Sequence, residues 1–434
     1  MDVLDAAKRA RVAARNMVSV SGETRNKAFL VIADEINKQK ERIKKVNSED
    51  AEKASKTNLA TPLMKRLKLD DSKIADLIKG LKELAELEDP VGKTLLSKQL
   101  DEGLELYKVT CPIGVIGSVF ESRPDALVQI AALCLKSGNS VILKGGSEAA
   151  RTNEFLAALI RNSIKQSHEI PEDVVQLLET REDFTRLLQL DEYVDLLVPR
   201  GSSELVRFIK KNTTIPVLGH AEGICHEYVD DSAALDKAVE ICYDAKVQYP
   251  AVCNALNTLL VHNDVADAFL SKMGRKFQEV HVELRGDEKT RKILPNAKEA
   301  VERDWSTEHL DLILNVKIVD SLQQAIDHVN RYSSHHTDGI VTENEESARK
   351  FLREVDSAVV LQNASTRFSD GYRFGFGAEV GISTNKIHAR GPVGLDGLVT
   401  YKYIIIGSGQ VVSSYVGKSA KAFNHRAQEK QWNL

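Results

Sequence analysis

The sequence predicts an α/β protein built on parallel sheets. Three observations carry that expectation. "VTCPIGVIGSVF" (109–120) and "SVILK" (140–144) are short, apolar and rich in β-branched residues, as strands buried on both faces are. Between them "ESRPD" opens a helix with Leu127, Ile130, Ala131 and Leu135 on one side, so strand, helix and strand form a βαβ unit. From about residue 228 a second helix-then-strand series begins, which implies a second sheet.

Taken in order, residues 1 to about 90 read as helices throughout. "SGETRNKAFLVIADEINKQKERIKKVN" starts at an N-cap, Ser21, and carries Phe29, Ile32, Ile36 and Ile43 at helical spacing. "DDSKIADLIKGLKELAEL" repeats the pattern with Ile74, Leu77, Leu81 and Leu84, and its Lys/Glu-rich face reads as solvated surface. In the first βαβ unit Pro124 suits the first helical position and Gly138 is placed to end the helix. "VVQLLE" and "VDLLVP" are further strands, with a helix at "EDFTRLLQL" between them, and "GSSELVRFIKKN" and "IPVLGH" extend the series. The second series runs through "EYVDD", the helix "SAALDKAVEICYDAKVQY", the strand "TLLVH", "AIDHVNRYSSHHTDGIVTEN" and "SAVVLQN". "LVTYKYIIIGSGQVVSSY" near the end reads as one exposed β-rich strand, built for pairing with something else.

Composition narrows the function. At 434 residues, 42% hydrophobic and 28% charged, the chain is an ordinary globular protein with room for two or three domains. A formal net charge of -4 gives no global case for nucleic acid. Five scattered cysteines without a C-x-x-C pair fit neither a disulfide scaffold nor a zinc site, and point to a reducing compartment. "MDVLDAAKRARVAARN" has no apolar h-region, and Asp2 and Asp5 speak against a transit peptide; no apolar run reaches membrane-span length. A cytosolic protein is expected.

Chemistry concentrates on one loop. Cys111, Cys134, Cys225 and Cys242 lie in apolar runs or at strand edges, where core packing is the expected role. Cys253 follows Tyr249-Pro250 and precedes Asn254, in a turn between a helix and a strand, and position alone leaves both packing and nucleophile open. No G-x-x-x-x-G-K-[ST] loop occurs, and "GFGAEVG" is one residue too long for G-x-G-x-x-G; tight loop geometry is the expected role of its glycines. No histidine pair has metal-ligand spacing, and "SSHHT" reads as a loop, so no metal is expected.

"GVIGSVFESRP", "AALCLKSGNSVILKGGSEAA", "LVPRGSSELVRFI", "YPAVCNALNTLLVH" and, most specifically, "NASTRFSDGYRFGFGAEVGISTNKIHARGPVGLDGLVTYKY" resemble the gamma-glutamyl phosphate reductase family, a divergent branch of the aldehyde dehydrogenase superfamily. The resemblance runs over essentially the whole chain. It implies an aldehyde dehydrogenase-like fold of two Rossmann-like parallel-sheet domains plus a small β oligomerisation element. It divides the chain into an NADP-binding domain (1–99 and 112–228), a catalytic domain (229–397) and an oligomerisation hairpin and strand (100–111 and 398–416). The implied activity is NADPH-dependent reduction of L-glutamyl 5-phosphate to L-glutamate 5-semialdehyde and phosphate, the second step of proline synthesis from glutamate. The rival readings are an acylating dehydrogenase for another donor, such as a coenzyme A thioester, the reductase domain of a bifunctional pyrroline-5-carboxylate synthase, and a pseudoenzyme of the same fold.

Residue by residue, the resemblance makes Cys253 the nucleophile and Asn254, which also suits a turn, a candidate oxyanion donor. "VLGH" falls where ordinary aldehyde dehydrogenases carry a glutamate that activates water, and Val217 cannot take a proton. Arg123 falls at an oxyanion-hole position and suits a phosphate dianion, the alternative being a surface pair with Glu121. Asn363, Ser365, Thr366 and Arg367 are the candidates for the substrate's amino and α-carboxylate groups. Lys144, Gly201, Ser202 and Glu308 are the candidate contacts to NADPH, with Lys144 offering charge to the 2′-phosphate. A homodimer or higher homo-oligomer, and a functional pairing with glutamate 5-kinase, complete the expectation.

Overall fold

The computed structural model describes residues 2–57, 59 and 61–432. Contacts divide the chain into two compact units: Met1–Leu218 with Gly377–Val380 and Gly394–Leu434, and Gly219–Phe376 with Gly381–Val393. Residue 228 falls inside a strand of the second unit. The division lies ahead of it because the loop that feeds that strand already packs with the second sheet.

Unit 1 opens with α1 (Val3–Met17), α2 (Gly22–Lys38), α3 (Lys40–Lys56), α4 (Thr61–Leu67) and α5 (Asp71–Glu86). Ser21 caps α2, its Oγ accepting the Thr24 N–H at 3.1 Å. The apolar spacing that joins Phe29 to Ile43 is broken at Gln39 (φ -102, ψ 14), so that stretch is two helices rather than one. The alanine-rich α1 is core: Ala6, Ala7, Ala10 and Ala14 pack with Val115, Val119 and Ile142. Small side chains bring its backbone close enough for Ser140 Oγ to donate to the Ala10 carbonyl at 2.8 Å. Arg11 grips Asp195 through both guanidinium nitrogens, at 2.6 and 3.0 Å.

There follow β1 (Thr94–Asp101), β2 (Leu104–Pro112), β3 (Val115–Phe120), α6 (Pro124–Lys136), β4 (Ser140–Lys144), α7 (Ala150–Lys165), β5 (Val175–Leu178), α8 (Arg181–Leu187), β6 (Leu196–Arg200) and α9 (Ser203–Lys211). β3 to β6 form a parallel sheet in the order β5-β4-β3-β6. Every residue of β3 is buried, as its unbroken apolar run requires. Pro124 is the first residue of α6, and Gly138 (φ 73) terminates it in the left-handed conformation. Successive strands leave β3 first toward β4 and then toward β6, so the order reverses between β3 and β6.

Unit 2 contains β7 (Cys225–Val229), α10 (Leu235–Val247), β8 (Leu256–His262), α11 (Asn263–Glu279), β9 (Glu283–Gly286), α12 (Glu288–Ile293), β10 (Lys298–Glu299), β11 (Ile313–Val319), α13 (Leu322–Tyr332), β12 (Thr337–Val341), α14 (Glu345–Glu354) and β13 (Val359–Gln362). The sheet is parallel, in the order β10-β9-β11-β8-β7-β12-β13. β7, β8 and β12 are buried along their whole length. β14 (Gly381–Ser383) and β15 (Gly391–Val393) make a short antiparallel pair.

Back in unit 1, β16 (Val399–Ile406) and β17 (Arg426–Gln428) join the β1–β2 hairpin in the antiparallel order β16-β2-β1-β17. β16 is shorter than its composition suggests, ending at Ile406. It pairs along its own hairpin, from Val399 opposite Pro112 to Ile406 opposite Glu105, rather than leaving both edges to another chain. Asn139 Nδ2 donates to the Leu398 carbonyl at 2.7 Å and holds the start of the strand beside β2. Its other edge carries no ladder among the described residues, and Tyr403 and Ile405 are each 59% exposed. Among the described residues no helix is long and apolar enough to cross a membrane.

Candidate active site

Unit 1 gathers its candidate residues at the carboxyl ends of its sheet strands, around the reversal point where open α/β sheets take ligands. Glu121 and Arg123 follow β3, Lys144 ends β4, and Gly201 and Ser202 follow β6. Ser202 caps α9, its Oγ accepting the Leu205 N–H at 3.4 Å. The Ser202 N–H itself donates to Glu121 Oε2 at 2.8 Å, so a carboxylate takes the place at this helix terminus where an anion is favoured. A Cβ on Gly201 would come within 2.6 Å of the same Glu121 oxygen, which a side chain there would have to push aside. Glu121 thus anchors the α9 terminus through this hydrogen bond.

The turn into α6 is held under backbone strain. Ser122, buried, lies at φ 46, a left-handed conformation costly for a non-glycine residue. Glu148 Oε1 compensates by accepting both the Ser122 N–H and its Oγ, each at 2.6 Å. Arg123 follows as the half-buried N-cap residue of α6. Lys144 Nζ donates to the Gly145 carbonyl at 2.7 Å, and burial holds its pKa below the usual lysine range, with the Glu148 charge opposing the shift. An anion-favouring helix start, a close-approach glycine and a cation beside the reversal point fit a dinucleotide's phosphates.

In unit 2 the site forms at the opposite, amino ends of three neighbouring strands. Gly223 leads into β7, Cys253 into β8 and His336 into β12. Pro250 stops α10, and the Ala255 N–H donates to the Val252 carbonyl at 3.1 Å, closing the turn that carries Cys253. A Cβ on Gly223 would come within 2.5 Å of Cys253 Cα. The Cys225 thiol donates to the Cys253 carbonyl at 3.2 Å. The Cys253 side chain is half-buried, and its ligand atom lies with ring nitrogens of His220 and His336 in a group whose members are within 4.8 Å of one another. Burial pushes the thiols of Cys111, Cys134, Cys225 and Cys242 up, which keeps them protonated and unreactive.

Asn254 is buried and braced. Its Nδ2 donates to the Ser369 carbonyl at 2.8 Å, and its own carbonyl accepts Thr366 Oγ1 at 2.8 Å. One Nδ2 hydrogen is thus committed to the loop 363–369, and the second is what an oxyanion would use. Arg367 is buried, with Nε donating to Gln248 Oε1 at 3.0 Å. Burial first, then the neighbouring Arg373 charge, lowers its pKa, while the field of Cys253 works the other way. Ser365 Oγ accepts the Arg367 N–H at 3.3 Å. Asn363, at φ 53, accepts the Thr342 N–H at 3.0 Å through Oδ1 and donates one Nδ2 hydrogen to the Thr342 carbonyl at 2.9 Å. The Glu308 carboxyl accepts the Gly223 N–H, and burial pushes its pKa up to about 7. It sits against the Cys253 turn as a brace.

A model of the aldehyde dehydrogenase family matches residues 1–303. The chain is 55% identical over 434 residues to a gamma-glutamyl phosphate reductase of Pelotomaculum thermopropionicum, covering 100% of this chain and 99% of the relative. It is 53% identical over 434 residues to that of Acetivibrio thermocellus, covering 100% of both. The chain belongs to the gamma-glutamyl phosphate reductase family. The crystal structure of the Thermotoga maritima gamma-glutamyl phosphate reductase superposes with a TM-score of 0.92 at 42% identity, covering 95% of this chain and 100% of that one. A glyceraldehyde-3-phosphate dehydrogenase of Methanocaldococcus jannaschii complexed with NADP shares the fold at 19% identity, with a TM-score of 0.66 over 94% of each chain.

Gly223, His220, His336, Ser369 and Gln248 escaped the reading of the sequence as site residues. His220 and His336 lie far apart along the chain in unremarkable loops, and only strand adjacency brings them to Cys253. Their spacing along the chain gives no sign of the grouping, which the fold alone produces.

Proposed function

We infer that the chain reduces L-glutamyl 5-phosphate with NADPH to L-glutamate 5-semialdehyde and phosphate, as a cytosolic enzyme of proline synthesis. Full-length identity of 51–55% to relatives of that activity carries the inference. Cys253 Sγ attacks the acyl carbon, phosphate leaves with the C–O bond, and a thioester remains. Bound NADPH supplies the hydride to that thioester, and the thiolate leaves as the aldehyde forms. Preformed donors stabilise the tetrahedral oxyanion in both steps, the second Nδ2 hydrogen of Asn254 being our candidate. Arg367, its turn held by Ser365 and Thr366, takes the α-carboxylate, and Arg123 takes the phosphate. Lys144, Gly201 and Ser202 hold the cofactor. Glutamate 5-kinase, which makes the acyl phosphate, is the functional partner, and the open edge of β16 supports assembly as a homodimer.

The test is a panel of acyl donors assayed with NADPH, followed by the oxidative direction. Glutamyl phosphate should be reduced and coenzyme A thioesters should not. Semialdehyde oxidation should require phosphate as acyl acceptor, since Val217 offers no base to activate water. Cys253→Ala should cost at least about three orders of magnitude in kcat. Oxidation as fast without phosphate, or retained turnover in Cys253→Ala, would overturn the reading.

A further inference from the structure

We propose that Cys253, His220 and His336 form a binding site for a thiophilic divalent cation, Zn2+ being the natural occupant, whose binding masks the thiol. Three side chains from three separate loops bring one sulfur and two imidazole nitrogens within 4.8 Å of one another. In a tetrahedral zinc site such atoms stand about 3.3–3.6 Å apart, as metal–ligand bonds of about 2.0–2.3 Å require, so small side-chain rotations close the gap. Zinc sites with three protein ligands of the Cys/His type leave a fourth position for water or substrate.

The histidines are oriented for this. His220 Nδ1 stands 2.7 Å from the Ile382 carbonyl, which can only accept; Nδ1 therefore carries the proton and the lone pair is on Nε2. An outer-shell carbonyl fixing the tautomer is the arrangement metal-binding histidines use. His336 is fully buried, its Nδ1 engaged by Thr337 Oγ1 at 2.8 Å, and its Nε2 is buried with no hydrogen-bond partner. A buried ring nitrogen left unsatisfied is costly, and a cation beside it removes that cost. The two rings meet edge to face, 4.8 Å between centroids and 81° between planes. Cys225, whose own thiol donates to the Cys253 carbonyl, fixes the turn from the other side.

Binding exchanges the Cys253 Sγ proton for the cation: the S–H bond breaks, a metal–thiolate bond forms, and the proton goes to solvent. No electron is transferred, and a chelator reverses the step. The masking consequence rests on Cys253 being the nucleophile; the binding site itself does not.

Co2+ serves as a spectroscopic probe on the full-length protein. Titration should give intense d–d absorption of four-coordinate cobalt, a thiolate-to-cobalt charge-transfer band and one ion per chain. Cys253→Ser should remove the charge-transfer band. His220→Ala and His336→Ala should each weaken Co2+ and Zn2+ at least about tenfold. Should buried His336→Ala fail to fold, the half-buried His220 variant carries the comparison. Zn2+ should also slow alkylation of Cys253 in the unmodified protein. Weak octahedral absorption, or equal affinity in the folded histidine variants and the parent, overturns the proposal. Loss of turnover in Cys253→Ala tests the nucleophile separately, so the two readings fail independently.

Discussion

Gly223 lies so close to the Cys253 peptide that a Cβ would come within 2.5 Å of Cys253 Cα and overlap its carbonyl oxygen. Backbone, unlike the end of a long side chain, cannot rotate away, so Gly223→Ala displaces the turn that carries the thiol. Misplacing a reacting group by about 1 Å costs roughly a hundredfold in rate. The variant is therefore expected to lose at least about two decades of kcat/KM while keeping its far-ultraviolet circular dichroism. Unchanged kinetics would mean the turn tolerates the shift. Nothing along the sequence marks this glycine, because its constraint comes from a loop that enters the neighbouring strand of the sheet. Cys253 differs: Pro250 and the helix-to-strand change around it are local, and they already place it in a turn.

At the scale of elements, β4 delivers Lys144 to the carboxyl edge of the unit 1 sheet, half-buried and with its pKa lowered first by burial. A charge-assisted bond from this amine to a 2′-phosphate contributes about 1.5–3 kcal/mol, or one to two decades. Lys144→Met should then lower kcat/KM for NADPH by about 10- to 100-fold and leave that for NADH nearly unchanged; an equal loss with both cofactors would refute the 2′-phosphate role. β16 is the second case. It satisfies one edge on β2 and leaves the other open, with Tyr401, Tyr403 and Ile405 exposed. An open apolar edge invites pairing. Truncation after Leu398 should yield monomers or aggregates by light scattering and abolish activity, although Cys253 is untouched. A monomeric mass for the intact chain at micromolar concentration would defeat the dimer.

For the molecule as a whole, acid stability depends on buried histidine. His328 is buried on α13, its Nε2 has no partner, and burial lowers its pKa to about 2, with the neighbouring His226 acting the same way. Unfolded, the ring takes a proton below about 6.5. Between those values the unfolded chain binds the extra proton, so this residue makes stability fall as pH falls, by about 1.4 kcal/mol per pH unit below 6.5. His328→Gln should make the acid-unfolding transition less steep and move its midpoint to lower pH, as fluorescence would record. An unshifted midpoint would show that other groups govern acid unfolding. Much of this architecture is written locally: buried parallel strands as unbroken apolar runs, helices by spacing and caps, and the Cys253 turn by its proline. Those signals act within a few residues, so the sequence by itself determined the α/β class, most of the helices and buried strands, and the turn that carries Cys253. Tertiary structure alone decided which strands adjoin, and with that the meeting of Gly223, Cys253, His220 and His336, the bracing of Asn363 and Glu308, and the pairing of β16 with its own hairpin. The physical reason is that strand order is set by burial summed over whole sheets, and no single segment of the chain carries that sum.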